Sequence, residues 1–273
     1  MYKVYKTGQE FLEENLNILR NDPLGATFFE GNAQMISLCD ESNYAARVEN
    51  DGETLIAIRV NGLPLVIYGS ERCVSEFAQV VAENKLQFVK VVGYYQLANA
   101  FLTAYEQISG GSHKVSLSMD VMYCDKVNPC DTSCVEQATA SDVDEIAQLV
   151  MNFGLEALVE KCEWGTIFEK VSRTIDSYAL IRVNGVIVSM GRSYADGKLQ
   201  RISNVYTKPE HRNKGYSRKV VTYLTERALK SGNLPCLHVD QNNPVSNHLY
   251  QTIGYVYGKS RYEMTYTPYS NNK

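Results

Sequence analysis

Positive charge is not in surplus in this chain. Lys and Arg number 27 against 31 Asp and Glu, a formal net charge of −4. That balance gives no electrostatic footprint for a phosphate backbone and argues against nucleic acid as a partner. Long apolar runs are missing too. No stretch approaches the ~20 apolar residues that a membrane helix needs, so no membrane association is expected. The opening "MYKVYKTGQEFLEENL" lacks the apolar core of a secretory signal, and a cytoplasmic location is the expectation. Cysteine is modest and odd in number: Cys39, Cys73, Cys124, Cys130, Cys134, Cys162 and Cys236. An odd set without a secretion signal points to reduced thiols. Three of them cluster in "CDKVNPCDTSC", but paired Cys-x-x-Cys spacing is absent, so no metal is expected.

What remains is a soluble globular composition, 44% hydrophobic and 21% charged over 273 residues. That length holds one large domain or two ordinary ones. The pentapeptide "IRVNG" occurs twice, at Ile58–Gly62 and Ile181–Gly185. Its flanks, "ETLIAIRVNGLPLVIYGS" and "DSYALIRVNGVIVSMGRS", are both apolar run, Asn-Gly, apolar run. Asn-Gly between β-branched runs is a strong hairpin signal, because both residues tolerate the positive φ of a type I′ turn.

Each hairpin sits in a similar series. In the second half a short strand precedes a helix capped by Thr139 or Ser141, with Val143, Ile146, Ala147, Leu149 and Val150 as its apolar stripe. A segment with Cys162, Trp164 and Phe168 leads to the hairpin. The strand "KLQRISNVYT", the helix "KGYSRKVVTYLTERALKSG", the strand "LPCLHVD", the helix "PVSNHLYQTI" and closing strands follow. The first half runs from the helix "TGQEFLEENLNILRND" to its hairpin, then "SERCVSEFAQVVAENK", "LQFVKVVGY", "YQLANAFLTAYEQI" and "KVSLSMDVMYC". It lacks a counterpart of "KLQRISNVYTKPEHRNKG". The expectation is a duplicated unit whose first copy lost that segment. The domains are read as residues 1–126 and 135–273, joined by a linker at 127–134.

The retained segment reads as strand, Pro-bounded turn and glycine at a helix start. With "LPCLHVD" it makes a βαβ unit, and ligands of such units sit at the helix N-terminus. Free backbone N–H groups and the helix dipole attract phosphate there. Gly215 and Ser217 leave room for close approach, and Arg212, Lys214 and Arg218 add positive charge. By itself this is also the pattern of an ordinary basic turn. Further on, Asn243 suits a helix N-cap, Pro244 the first turn and Gly254 the C-terminal stop. Asn243, Ser246 and Tyr250 share one face of that helix. Taken alone, a tyrosine there reads as a core aromatic with its hydroxyl satisfied.

Together these motifs resemble the GNAT superfamily of acyltransferases. Its pattern R/Q-x-x-G-x-G/A is matched by Arg212, Asn213, Lys214, Gly215, Tyr216 and Ser217, with serine as the departure in the last place. The later N-x-x-A/S-x-x-L-Y-x-x-x-G-F/Y is matched by Asn243, Ser246, Leu249, Tyr250, Gly254 and Tyr255. The likeness covers residues 135 to 267, and the first half is similar to the same fold without its cofactor loop. It implies an α+β fold: two GNAT-like units, each a mixed, mostly antiparallel sheet flanked by helices, with a V-shaped slot between two splayed strands. It implies acetyl-CoA or another short acyl-CoA as co-substrate, with no metal. The backbone of Val205, Tyr206 and Thr207 would pair with the pantetheine arm, and the turn from Arg212 to Arg218 would hold the pyrophosphate. Asn243 and Ser246 would line the pantetheine side. Tyr250 would be the general acid for acyl transfer to the amine of a small molecule or amino acid.

No acid stands on the strand before the turn, so the general base stays open between His238, Asp240 and a water chain. Residues 153–172 should overhang the slot, where Glu160, Glu163 and Trp164 would suit a cationic amine. The first half should pack as the partner in an internal pseudo-dimer, the alternative being a homodimer, with Phe28, Phe29 and Tyr44 helping to wall the acceptor pocket. The competing class is a GNAT-like acyl-CoA sensor or scaffold without turnover.

Overall fold

The computed structural model describes residues 1–36, 42–158 and 163–269. Cys39, Glu160 and Cys162, named above, lie outside them. The five described cysteines, Cys73, Cys124, Cys130, Cys134 and Cys236, are free thiols. No helix of the described residues is long and apolar enough to cross a membrane.

In chain order the first ten elements are β1 (Tyr2–Val4), α1 (Gly8–Asn21), α2 (Phe29–Met35), β2 (Tyr44–Asn50), β3 (Glu53–Arg59), β4 (Leu65–Gly69), α3 (Val74–Glu83), β5 (Lys90–Gly93), α4 (Tyr95–Ser109) and β6 (Ser112–Tyr123). The next ten are β7 (Glu136–Gln137), α5 (Val143–Phe153), α6 (Trp164–Arg173), β8 (Tyr178–Val183), β9 (Val186–Asp196), β10 (Leu199–Thr207), α7 (Tyr216–Lys230), β11 (Leu234–Asp240), α8 (Pro244–Ile253) and β12 (Val256–Thr267). The two series are the same: β α α β β β α β α β.

That identity corrects the expectation of a lost strand. The first half has its full set, because "YAARVEN" forms β2, antiparallel to β3. The first half instead lacks loop length. Only Ser70–Cys73 separate β4 from α3, whereas Lys208–Gly215 separate β10 from α7. The doubled "IRVNG" also falls at different places. The second copy joins β8 to β9 with Val183 opposite Val186, and Asn184 and Gly185 have φ 52° and 80°. That is the expected two-residue type I′ turn. The first copy joins β3 to β4, one strand later in the series. There only Gly62 has positive φ, at 77°, and Leu63 N–H bonds Val60 O at 2.9 Å. Pro64 follows and cannot donate to a ladder, so pairing resumes only at Val66 opposite Ile58. The true counterpart of Asn184-Gly185 is Asp51-Gly52, at φ 48° and 79°, between β2 and β3.

The chain divides into two compact units that are not contiguous in sequence. The first comprises Met1–Val121, Asp240–Asn242 and the stretch from Gly258; the second comprises Met122–Val239 and Asn243–Tyr257. In the first unit β2, β3 and β4 form an antiparallel meander with β1 on its outer edge. β4 and β5 are parallel, and β12 pairs antiparallel with β5, Tyr262 opposite Gly93. A strand from the end of the chain thus completes the first unit. Its Met264 and Tyr266 are buried against Phe77, Phe101 and Tyr105 of α3 and α4. Its Arg261 is fully buried, with its guanidinium over the Tyr94 ring at 5.5 Å. Phe29 lies in this unit's own core, stacked on Phe11 at 6.0 Å, and Tyr44 is buried with its hydroxyl 3.2 Å from that of Tyr2. Phe28 packs partly buried against the same cluster. These three side chains serve the fold of the first unit.

In the second unit β7, β8, β9 and β10 run antiparallel, and β10 pairs parallel with β11 through the crossover helix α7. The cap read for α5 falls one turn earlier: Thr139 is the N-cap of a 3-10 turn, Ala140–Asp142, that leads into α5, where the Asp142 carboxylate accepts the Thr139 N–H at 2.8 Å and also holds Arg182 at 2.5 Å. Val143, Ile146, Ala147 and Leu149 form its buried stripe. On the other face of the sheet Val220, Val221 and Leu224 of α7 pack with Leu237, Tyr250 and Ile253. The segment read as a linker is packed here too, with Asn128 N–H bonding Ile253 O at 2.8 Å and Lys219 3.3 Å from Asp131.

Candidate active site

The site grows from a defect in β10. The strand pairs with β9 in register up to Ser203 opposite Arg192, then resumes at Tyr206 opposite Met190. The bulge holds Asn204 at φ 51°, a conformation that asparagine tolerates better than most residues. Its amide donates to the Tyr178 hydroxyl at 3.3 Å. On the other side, parallel pairing with β11 stops at Ile202 opposite Leu237, although both strands continue. Past that point Val205, Tyr206 and Thr207 present a backbone edge that β11 does not fill.

The turn after β10 leads to α7. Asn213 and Gly215 both have positive φ, 62° and 76°. Gly215 caps α7 without any side-chain hydrogen bond, and a Cβ placed on it would meet nothing within 4 Å. The first N–H groups of a 15-residue helix, from Tyr216, Ser217 and Arg218, belong to the turn that has no intrahelical acceptor, and the N-cap side chain supplies none. Serine in the last motif position is explained by packing. Its hydroxyl lies 2.7 Å from that of Thr207, which lies 2.8 Å from that of buried Ser189. This hydroxyl chain ties the helix start to β10 and β9.

Positive charge around the turn is more fully paired than expected. Arg212 Nη2 lies 2.5 Å from Glu156 Oε1, and its Nε donates to Thr207 O at 3.0 Å. Lys208 pairs with Glu145 at 3.3 Å and Lys219 with Asp131. Lys214 is exposed, and Arg218 donates to Thr252 O at 3.4 Å while its buried Nε has no hydrogen-bond partner.

α8 carries the second motif. Asn243 Oδ1 accepts the Ser246 N–H at 3.0 Å, so its side chain is engaged as the cap. Gly254 ends the helix at φ 116°, where a Cβ would stand 2.4 Å from Lys126 O. Tyr250 is buried in the α7–α8 layer, and burial pushes its phenol up to about 12. It therefore keeps its proton at neutral pH and can act as a proton donor.

The other candidates are tied up locally or stand at the surface. His238 Nδ1 lies 3.2 Å from Arg201 Nη2, and Asp240 accepts the Asn242 N–H at 2.8 Å. Trp164 opens α6, exposed beside Phe168, with ring centroids 6.1 Å apart; Glu163 is exposed. Two residues near the site escape the sequence reading. Asn204 is signalled only by an asparagine inside a strand pattern. Glu156 gives no signal, because its place depends on the π-helical turn Gly154–Leu158 that ends α5.

A family model described as FR47-like protein matches residues 190–263, from the middle of β9 into β12. Curated proteins give no match. Solved structures give many. A GNAT-family acetyltransferase from Colwellia psychrerythraea is 11% identical, with 97% of this chain and 99% of that one aligned at a TM-score of 0.63. A GCN5-related N-acetyltransferase from Sphaerobacter thermophilus is 16% identical, with 98% and 95% aligned at 0.63. A tandem GNAT protein from the clavulanic acid biosynthesis pathway is 9% identical, with 98% of both chains aligned at 0.58. At such identities the likeness is one of fold. It extends over both units.

Proposed function

We propose that this chain, which has the tandem GNAT fold, is an acyl-CoA-dependent N-acyltransferase acting on the amine of a small molecule or amino acid. The observation that carries the reading is the end of β10–β11 pairing at Ile202 and Leu237 while both strands continue, followed by the start of α7, whose N-cap makes no side-chain hydrogen bond. The N–H groups at Tyr216, Ser217 and Arg218 suit the pyrophosphate of acetyl-CoA or another short acyl-CoA, assisted by Arg212, Asn213 and Lys214. The free edge of Val205, Tyr206 and Thr207 suits the amides of its pantetheine arm as an added strand, and Asn243 and Ser246 lie on the face of α8 that carries Tyr250.

The acceptor amine attacks the thioester carbonyl within a ternary complex. The new C–N bond forms, the C–S bond breaks, and the thiolate takes the proton of Tyr250. A backbone N–H of the open β10 edge holds the oxyanion. Holding both reactants in one slot can supply about 7–11 kcal/mol by orientation. β10 carries no carboxylate, so the amine's proton leaves to a base off that strand, His238, Asp240 or a water chain.

Thiol release from acetyl-CoA, measured with the full chain across a panel of amines and amino acids, tests the reading. Acceptor-dependent thiol release supports it. Tight acetyl-CoA binding with no turnover on any amine would leave a sensor instead.

A further inference from the structure

Glu156 belongs to neither sequence motif, yet it holds the first residue of one of them. One carboxylate oxygen lies 2.5 Å from Arg212 Nη2, and the other accepts the Tyr206 hydroxyl at 3.3 Å. Arg212 is held from two further sides, by Thr207 O at 3.0 Å and by the Tyr206 ring, 5.7 Å from the guanidinium. Arg212 thus bridges the phosphate turn, β10 and the end of α5. Among the described residues Glu156 is the sole carboxylate paired with it, since Glu145 and Asp131 are engaged by Lys208 and Lys219.

Two properties make this contact exchangeable. The partners remain 40% and 47% exposed, so water screens the pair and it contributes little. A phosphate group offers a guanidinium more acceptor oxygens than a carboxylate does and competes well for it. Glu156 also sits in a π-helical turn, the wide backbone form that occurs as single turns at helix irregularities. Its side chain ties that turn to β10.

We propose that Glu156 is a positioning residue for the cofactor: its carboxylate stands in for the pyrophosphate on Arg212 when the site is empty and is displaced when acyl-CoA binds. The inference rests on the coenzyme reading above. It assigns Glu156 two effects. Arg212 is held in place before the ligand arrives, at the cost of a competing charge. Displacement then frees the turn Gly154–Leu158, which links cofactor binding to the end of α5.

The test is titration calorimetry of the full chain with CoA and with pantetheine, which keeps the arm but has no phosphate. In Glu156→Gln, CoA should bind about two- to fivefold tighter at low salt, the range an exposed ion pair allows, while pantetheine affinity stays unchanged. Glu156→Ala should shift CoA in the same direction. In the wild type, amides of residues 154–158 should exchange hydrogen faster with CoA present. In Glu156→Gln they should exchange fast without it. CoA affinity that is unchanged or weaker in both variants overturns the proposal, as does slower exchange of the turn on CoA binding. A folded wild type that binds no CoA removes the coenzyme reading itself, and this inference with it.

Discussion

Gly215 separates the needs of the fold from the needs of the ligand. At φ 76° an L-residue is strained, by about 1–2 kcal/mol. A Cβ there meets nothing within 4 Å, so Gly215→Leu adds no clash inside the protein. The expected loss of melting temperature is therefore small, on the order of 2–8 °C. Cofactor binding should suffer far more. On the proposed reading, a leucine side chain in that open space competes with the pyrophosphate for the start of α7. Losing two charge-assisted hydrogen bonds costs about 3–6 kcal/mol, or roughly 10²–10⁴-fold in Kd. Calorimetric titration with acetyl-CoA beside a thermal melt measures both quantities. Gly254→Leu is the control of opposite kind. Its Cβ would stand 2.4 Å from the backbone of Lys126, so it should destabilise the second unit broadly. An acetyl-CoA affinity in Gly215→Leu equal to wild type would refute the placement of the phosphates at α7.

Tyr250→Phe keeps the ring in the core and removes the proton donor; turnover should fall about 10²–10⁴-fold with acetyl-CoA affinity retained, and unchanged turnover would make the tyrosine structural. Because burial holds the phenol up to about 12, its acid form persists well past the ordinary value of 10, so kcat should show no falling limb from this group below about pH 11, as a pH–rate profile can check. Ser217→Ala removes one end of the hydroxyl chain to Thr207 and Ser189 and should cost about 0.5–1.5 kcal/mol in chemical denaturation while acetyl-CoA still binds. Truncation after Tyr257 removes the buried Met264 and Tyr266 from the first unit, about 3–6 kcal/mol of burial against a typical domain stability of about 5–15 kcal/mol. That chain should lose the cooperative unfolding transition of the first unit, and a retained transition would show β12 to be dispensable.

Local signals were enough for much of the second unit. The Asn243 cap, Pro244 and Gly254 bound α8 in sequence and in space, because each acts within a few residues of itself. The apolar stripe of α5 and the place of Gly215 at the start of α7 were legible for the same reason. The doubled "IRVNG" shows where local reading stops. One copy makes a type I′ turn and the other does not, because Leu63-Pro64 follows the first and Val186-Ile187 the second. Five identical residues therefore marked two different turns, and the duplication is carried by element order, with Asp51-Gly52 opposite Asn184-Gly185 in the series. Tertiary structure alone decided which unit receives the last strand. Nothing in "GKSRYEMTYT" distinguishes pairing with β5 from pairing elsewhere, since strand pairing depends on which edge is free. The same holds for Glu156. A carboxylate on a π-helical turn meets Arg212, 56 residues away, because helix α5 and strand β10 pack on each other, and no spacing in the sequence encodes that distance.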